Sequence, residues 1–120
     1  MNRKIGLIED DVTMRSLLET LFKLEGYQPI IFQPTTLEEV STQVKNESPS
    51  ALLVDVHLKT FNGMDLAKEI RSTAEIEQPL IVMASGMDLS VECKASGANH
   101  FFLKPYMPQD LINWLKTKIK

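Results

Sequence analysis

The stretch KIGLIEDDVTMR, residues 4–15, decides how the chain is read. An apolar run, IGLI (5–8), ends abruptly in three consecutive carboxylates, Glu9, Asp10 and Asp11. Such a run suits a buried strand, and acidic groups at its end need a reason to be there. Four further apolar runs follow: PIIF (29–32), ALLVDV (51–56), LIVMA (80–84) and HFFL (100–103). Most are apolar at consecutive positions rather than alternating, the pattern of strands covered on both faces in a parallel sheet.

Helical patterns separate these runs. Met14, Leu17, Leu18 and Leu21 fall on one helical face, and Gly26 closes that segment. Leu37, Val40 and Val44 form a second stripe, opened by a capping box of Thr36 and Glu39. Met64, Ala67 and Ile70 line a third, and residues 88–96 a short, weakly patterned fourth. In the fifth, Pro108 suits a first turn, and Leu111, Leu115 and Ile119 share a face. Strand and helix thus alternate five times. This predicts an α/β fold: a doubly wound parallel sheet of five strands with helices on both faces. In such sheets a ligand sits beyond the carboxyl ends of the strands.

The totals bound the function. The 120 residues suffice for one domain with a real core, so residues 1–120 are expected to form a single unit. A net charge of −3 gives no general attraction to nucleic acid or anionic lipid. One cysteine, Cys93, excludes an intrachain disulfide and fits a reducing compartment. No apolar run approaches the roughly 20 residues of a membrane helix, and the acidic N-terminal stretch is unlike a signal peptide. A cytoplasmic protein without membrane or direct nucleic-acid contacts is expected.

At the strand ends, Glu9, Asp10 and Asp11 follow the first run, Asp55 interrupts the third, Ser85-Gly86 ends the fourth, and Lys104-Pro105 ends the fifth. If the first and third strands are adjacent, these residues share one rim. Two carboxylates about 5 Å apart repel by roughly 3 kcal/mol at an effective dielectric near 20. A hard divalent cation relieves that repulsion, and an all-oxygen set suits Mg²⁺. Two histidines and one cysteine without ligand spacing do not suggest zinc. A cation beside a carboxylate, a hydroxyl and an ammonium is a phosphoryl-transfer arrangement, with Asp55 as nucleophile and Lys104 and Ser85 as charge-stabilising groups.

With those positions assembled, the chain resembles the CheY-like receiver domains of bacterial two-component response regulators. The resemblance spans essentially all 120 residues and rests on LIEDD with Arg15, LLVDVHLKTFNGMDL, PLIVMASG and GANHFFLKP, in that order. It implies strand order 2-1-3-4-5 and a phosphorylation-controlled switch with Asp55 as phosphoacceptor. It implies that Glu9, Asp10, Asp55 and the main-chain carbonyl of His57 hold Mg²⁺. Ser85 matches the switch hydroxyl, Lys104 the phosphoryl-binding lysine, and Phe101 the aromatic switch position. A cis peptide between Lys104 and Pro105 is implied, and Gly63 matches a loop glycine. The His57 side chain itself reads as a solvated loop residue.

The implied partners are a histidine kinase or phosphotransfer protein and a downstream protein or output domain. A homodimer of the phosphorylated form is compatible with the resemblance. Catalysis would be confined to the domain's own phosphorylation and dephosphorylation. Two departures stand out: Lys59 replaces the usual proline four residues past Asp55, and Ser85 to Gly97 is about three residues short. The latter implies a reshaped fourth helix and keeps open a second reading, an interaction module that no longer cycles through phosphorylation. A haloacid-dehalogenase-type phosphatase would need an acid at His57, and a flavin carrier a neutral phosphate loop in place of EDDVTMR.

Overall fold

The computed structural model describes residues 2–119. The expected unit of 1–120 includes Met1 and Lys120, which lie outside the described residues. Strands β1 (Lys4–Ile8), β2 (Gln28–Ile31), β3 (Ala51–Asp55), β4 (Leu80–Ser85) and β5 (His100–Leu103) alternate with five helices. These are α1 (Val12–Leu24), α2 (Leu37–Glu47), α3 (Gly63–Ser72), α4 (Ser90–Ser96) and α5 (Pro108–Lys118). All strand pairs are parallel, in the order β2-β1-β3-β4-β5.

The consecutive apolar residues of the inner strands divide by parity between two cores. Ile5, Leu7, Ala51, Leu53 and Val82 pack with Leu18 and Phe22 of α1 and Leu111, Ile112 and Leu115 of α5. Ile8, Leu52, Val54, Ile81 and Met83 face the other way, toward Val40 and Val44 of α2, Leu66, Ala67 and Ile70 of α3, and Cys93 of α4. A strand buried on both sides has no position to give to a polar residue until it ends, so its polar groups collect at the rim.

Two local readings are corrected. Leu17 is 45% exposed, because the buried line of α1 runs through Leu18 and Phe22, with Met14 and Leu21 at its margins. The capping box at α2 is displaced by one residue: Thr36 accepts from the Glu39 N–H, but the Glu39 carboxylate reaches the N–H and hydroxyl of Thr35.

The segment around α4 is short, as its length implies, with seven helical residues. Its far end is held from outside. Arg71 of α3 donates to the carbonyls of Gly97 and Pro79 and to the side chains of Asn99 and Gln78, so one guanidinium ties α3 to the start of β4 and the exit of α4. Gly97 ends α4 at φ +117°, and a Cβ there would sit 2.6 Å from the Arg71 stem. Both facts require glycine.

A second close approach positions the rim. A Cβ on Gly63 would lie 2.3 Å from the Asp55 carbonyl oxygen and 3.0 Å from Val54, while the Gly63 N–H donates to the Val56 carbonyl at 2.8 Å. The first residue of α3 therefore rests directly on the backbone that carries Asp55. Gly63→Ala is expected to lower stability by about 1–3 kcal/mol, the range for forcing extra volume into a packed site. Urea unfolding measures the loss, and amide shifts at Asp55 and Val56 report the displaced backbone.

Candidate functional site

The parallel register brings the strand ends together. β1 and β3 are neighbours, with Ile8 beside Val54, so Glu9 and Asp10 emerge next to Asp55. Asp55 pairs with Ala84, which sets Ser85 one residue further along the same rim, and Ser85 pairs with Leu103, immediately before Lys104. The Lys104–Pro105 peptide bond is cis, and the Lys104 N–H donates to the Ser85 carbonyl at 2.8 Å.

Lys104 turns its ammonium back over the sheet. Its Nζ lies 3.2 Å from Glu9 Oε2 and 3.4 Å from Asp55 Oδ1. The Glu9 side chain is 5% exposed and that of Asp55 11%. Burial raises the Glu9 pKa, helped by the Asp55 charge, against the opposing effects of the Asp11 N–H and Lys104. For Lys104 burial acts downward, but Glu9 and Asp55 outweigh it and the pKa is raised. The ammonium is the counter-charge to the two acids on this rim.

The three acids of the opening stretch have separate tasks. Glu9 Oε1 accepts the Asp11 N–H at 3.1 Å. Asp11 caps α1, accepting the Met14 N–H at 3.0 Å. Asp10 turns outward and accepts the Lys59 N–H from the loop between β3 and α3. Arg15 donates to the Glu9 carbonyl at 3.5 Å. Among the described residues, no three His, Cys, Asp or Glu side chains form a metal-holding group by themselves. Mg²⁺ does not require one, since it keeps several waters and takes one or two carboxylates. The carboxylates gathered at this rim, Glu9, Asp10 and Asp55, are oxygen donors of the kind that demand calls for.

Phe101 is half-buried against the core beneath α2, α3 and α4, beside Met83, and not at the acidic rim. His57 is exposed, as a solvated loop residue would be, yet its Nε2 also lies 2.9 Å from Ser85 Oγ. Val56 is buried, so alternation past the strand end sends His57 to the same side as Asp55. Tyr106 was not visible as a site residue. It packs on Phe102, and burial, with the charges of Glu9 and Asp55, pushes its phenol up to about 12. The signal for it was its place two residues past Lys104.

Residues 5–116 match the family model described as the response regulator receiver domain. The chain belongs to this family. This receiver is 23% identical over 125 residues to the DNA-binding response regulator MtrA of Mycolicibacterium paratuberculosis, covering 100% of the chain and 52% of that protein. The chain thus spans about half the length of the MtrA relatives it matches. It is 25% identical over 111 residues to a chemotaxis protein CheY homolog of Campylobacter jejuni, covering 90% of the chain and 85% of that protein. A signal receiver domain from Bermanella marisrubri superposes over 100% of both chains, with TM-score 0.88 and 20% identity, a likeness of fold. As in the sequence reading, no helix among the described residues is long and apolar enough to cross a membrane.

Two outcomes follow for the receiver's charged rim. Removing one partner of a buried pair leaves the other charge uncompensated, and Lys104 is 26% exposed, so Lys104→Met should destabilise by on the order of 1–3 kcal/mol at neutral pH. Asp55→Asn in that background should recover part of the loss, as read by urea unfolding. Tyr106 has a folded pKa above its ordinary 10, so its contribution is complete below pH 10 and is lost as pH rises toward 12. Tyr106→Phe should remove about one proton's worth of that alkaline slope in stability against pH.

Proposed function

We propose that this receiver is a phosphorylation-controlled signalling switch in which Asp55 accepts a phosphoryl group from a histidine kinase or phosphotransfer protein. The observation that carries the reading is the pairing of the Asp55 carboxylate with the Lys104 ammonium at 3.4 Å, on a rim that also holds the Ser85 hydroxyl. An Asp55 oxygen attacks phosphorus, and the bond from phosphorus to the donor nitrogen breaks, leaving an aspartyl phosphate. Lys104, already poised between two carboxylates, follows the charge onto the phosphoryl oxygens. The Ser85 hydroxyl donates to one of those oxygens.

Glu9, Asp10, Asp55 and the His57 carbonyl would hold Mg²⁺. When bound, Mg²⁺ supplies charge neutralisation at the phosphoryl oxygens. Phosphorylation adds charge to a rim whose acids are already balanced by one ammonium, and it draws Ser85 away from its resting partners. That difference in contacts biases an equilibrium of surface states. The reading takes residues 1–120 as one such unit, acting in the cytoplasm on a downstream protein or output domain. Its chemistry is confined to its own phosphorylation and dephosphorylation, and Phe101 would follow Ser85 through their adjoining strands.

Intact-mass spectrometry after incubation with acetyl phosphate tests the reading. One phosphoryl adduct is expected in the wild type with Mg²⁺, and none with a chelator or in Asp55→Asn. No adduct under any condition would replace the switch with the non-cycling interaction module.

A further inference from the structure

Ser85 is fully buried, and its hydroxyl has two polar neighbours. The Met87 N–H donates to Oγ at 3.0 Å, and His57 Nε2 lies at 2.9 Å. A hydroxyl has one proton and two lone pairs. Met87 occupies one lone pair. The proton needs an acceptor, since buried polar hydrogens are almost always paired. Of the two neighbours only His57 Nε2 can accept, so pairing the Ser85 proton requires the ring tautomer that carries its proton on Nδ1.

The placement of the ring is built into the backbone. The His57 N–H points to Asp55 Oδ1 at 3.4 Å, and His57 forms an isolated antiparallel bridge with Asn62, just before α3. The residue is thereby held between the proposed phosphoacceptor and the helix that follows it.

We infer that His57 is a positioning residue that holds the Ser85 proton in the resting state and surrenders it when a phosphoryl group arrives on Asp55. The inference rests on the phosphoacceptor reading above and adds a competitor to it. One hydroxyl proton cannot serve the imidazole and a phosphoryl oxygen together. His57 therefore opposes capture of Ser85 and sets how far the switch leans toward its resting state.

The test is the affinity for beryllofluoride with Mg²⁺, a stable mimic of the phosphoryl group, followed by NMR titration. The wild type, His57→Ala, Ser85→Ala and the double variant are compared. Loss of one resting hydrogen bond should tighten binding about 3–10-fold in His57→Ala. The same change in the Ser85→Ala background should give no gain. His57→Gln, which restores an acceptor, should return affinity toward the wild type. In the unliganded protein, the ring nitrogen shifts of His57 should show the proton on Nδ1 and should move in Ser85→Ala.

Unchanged or weaker binding in His57→Ala, an equal gain without Ser85, or a ring protonated at Nε2 would each overturn the inference. These outcomes leave the phosphoacceptor reading standing if the wild type binds the mimic. A wild type that binds no beryllofluoride overturns that reading and the role of His57 with it.

Discussion

The ammonium of Lys104 lies between Glu9 and Asp55, and the acidic rim depends on that one position. The three residues stand at the ends of β1, β3 and β5. Lys104 reaches back past β4 to acids two and three strands away, with neighbouring strands about 4.8 Å apart. An acid as buried as Glu9 beside a second carboxylate is stable as an anion only with a cation at contact distance. The sheet order, the length of a lysine stem and the close approach at Gly63 are the conditions that make this contact geometrically available. The two cores on either side of the sheet hold the strands in the register on which that contact relies.

The same arrangement explains how much could be read in advance. A parallel sheet buries its inner strands on both faces, so consecutive apolar runs marked all five strands within about a residue of their ends. Residues attached to those ends inherited that accuracy: Glu9, Asp10, Asp55, Ser85 and Lys104 gather on one rim because their strands pair in register. Helix faces were less legible. Leu17 and Leu18 are adjacent in sequence, and only the tertiary packing decides which of them looks inward.

The contacts of loop residues were not legible. His57 and Lys59 lie in the connection after β3, where alternation gives a side but not a partner. The imidazole turned toward Ser85, and the residue in place of a proline contributes an N–H to Asp10 that proline could not. Tyr106 escaped notice for a related reason. Its shift arises from burial and from charges on two strands distant in sequence, and neither is written in its neighbours.

The grip of Arg71 on the exit of α4 gives that short helix two unequal ends. Its far end is fastened by a guanidinium to three other parts of the chain, whereas its entry is held by the packing of Leu89 on the core and by the Asp88 carboxylate on Ser90. Seven residues are too few to be stable alone, so the helix takes its position from what holds it. The helix is thus placed by tertiary contacts along its whole length, from Leu89 and Cys93 in the core to the guanidinium at Gly97.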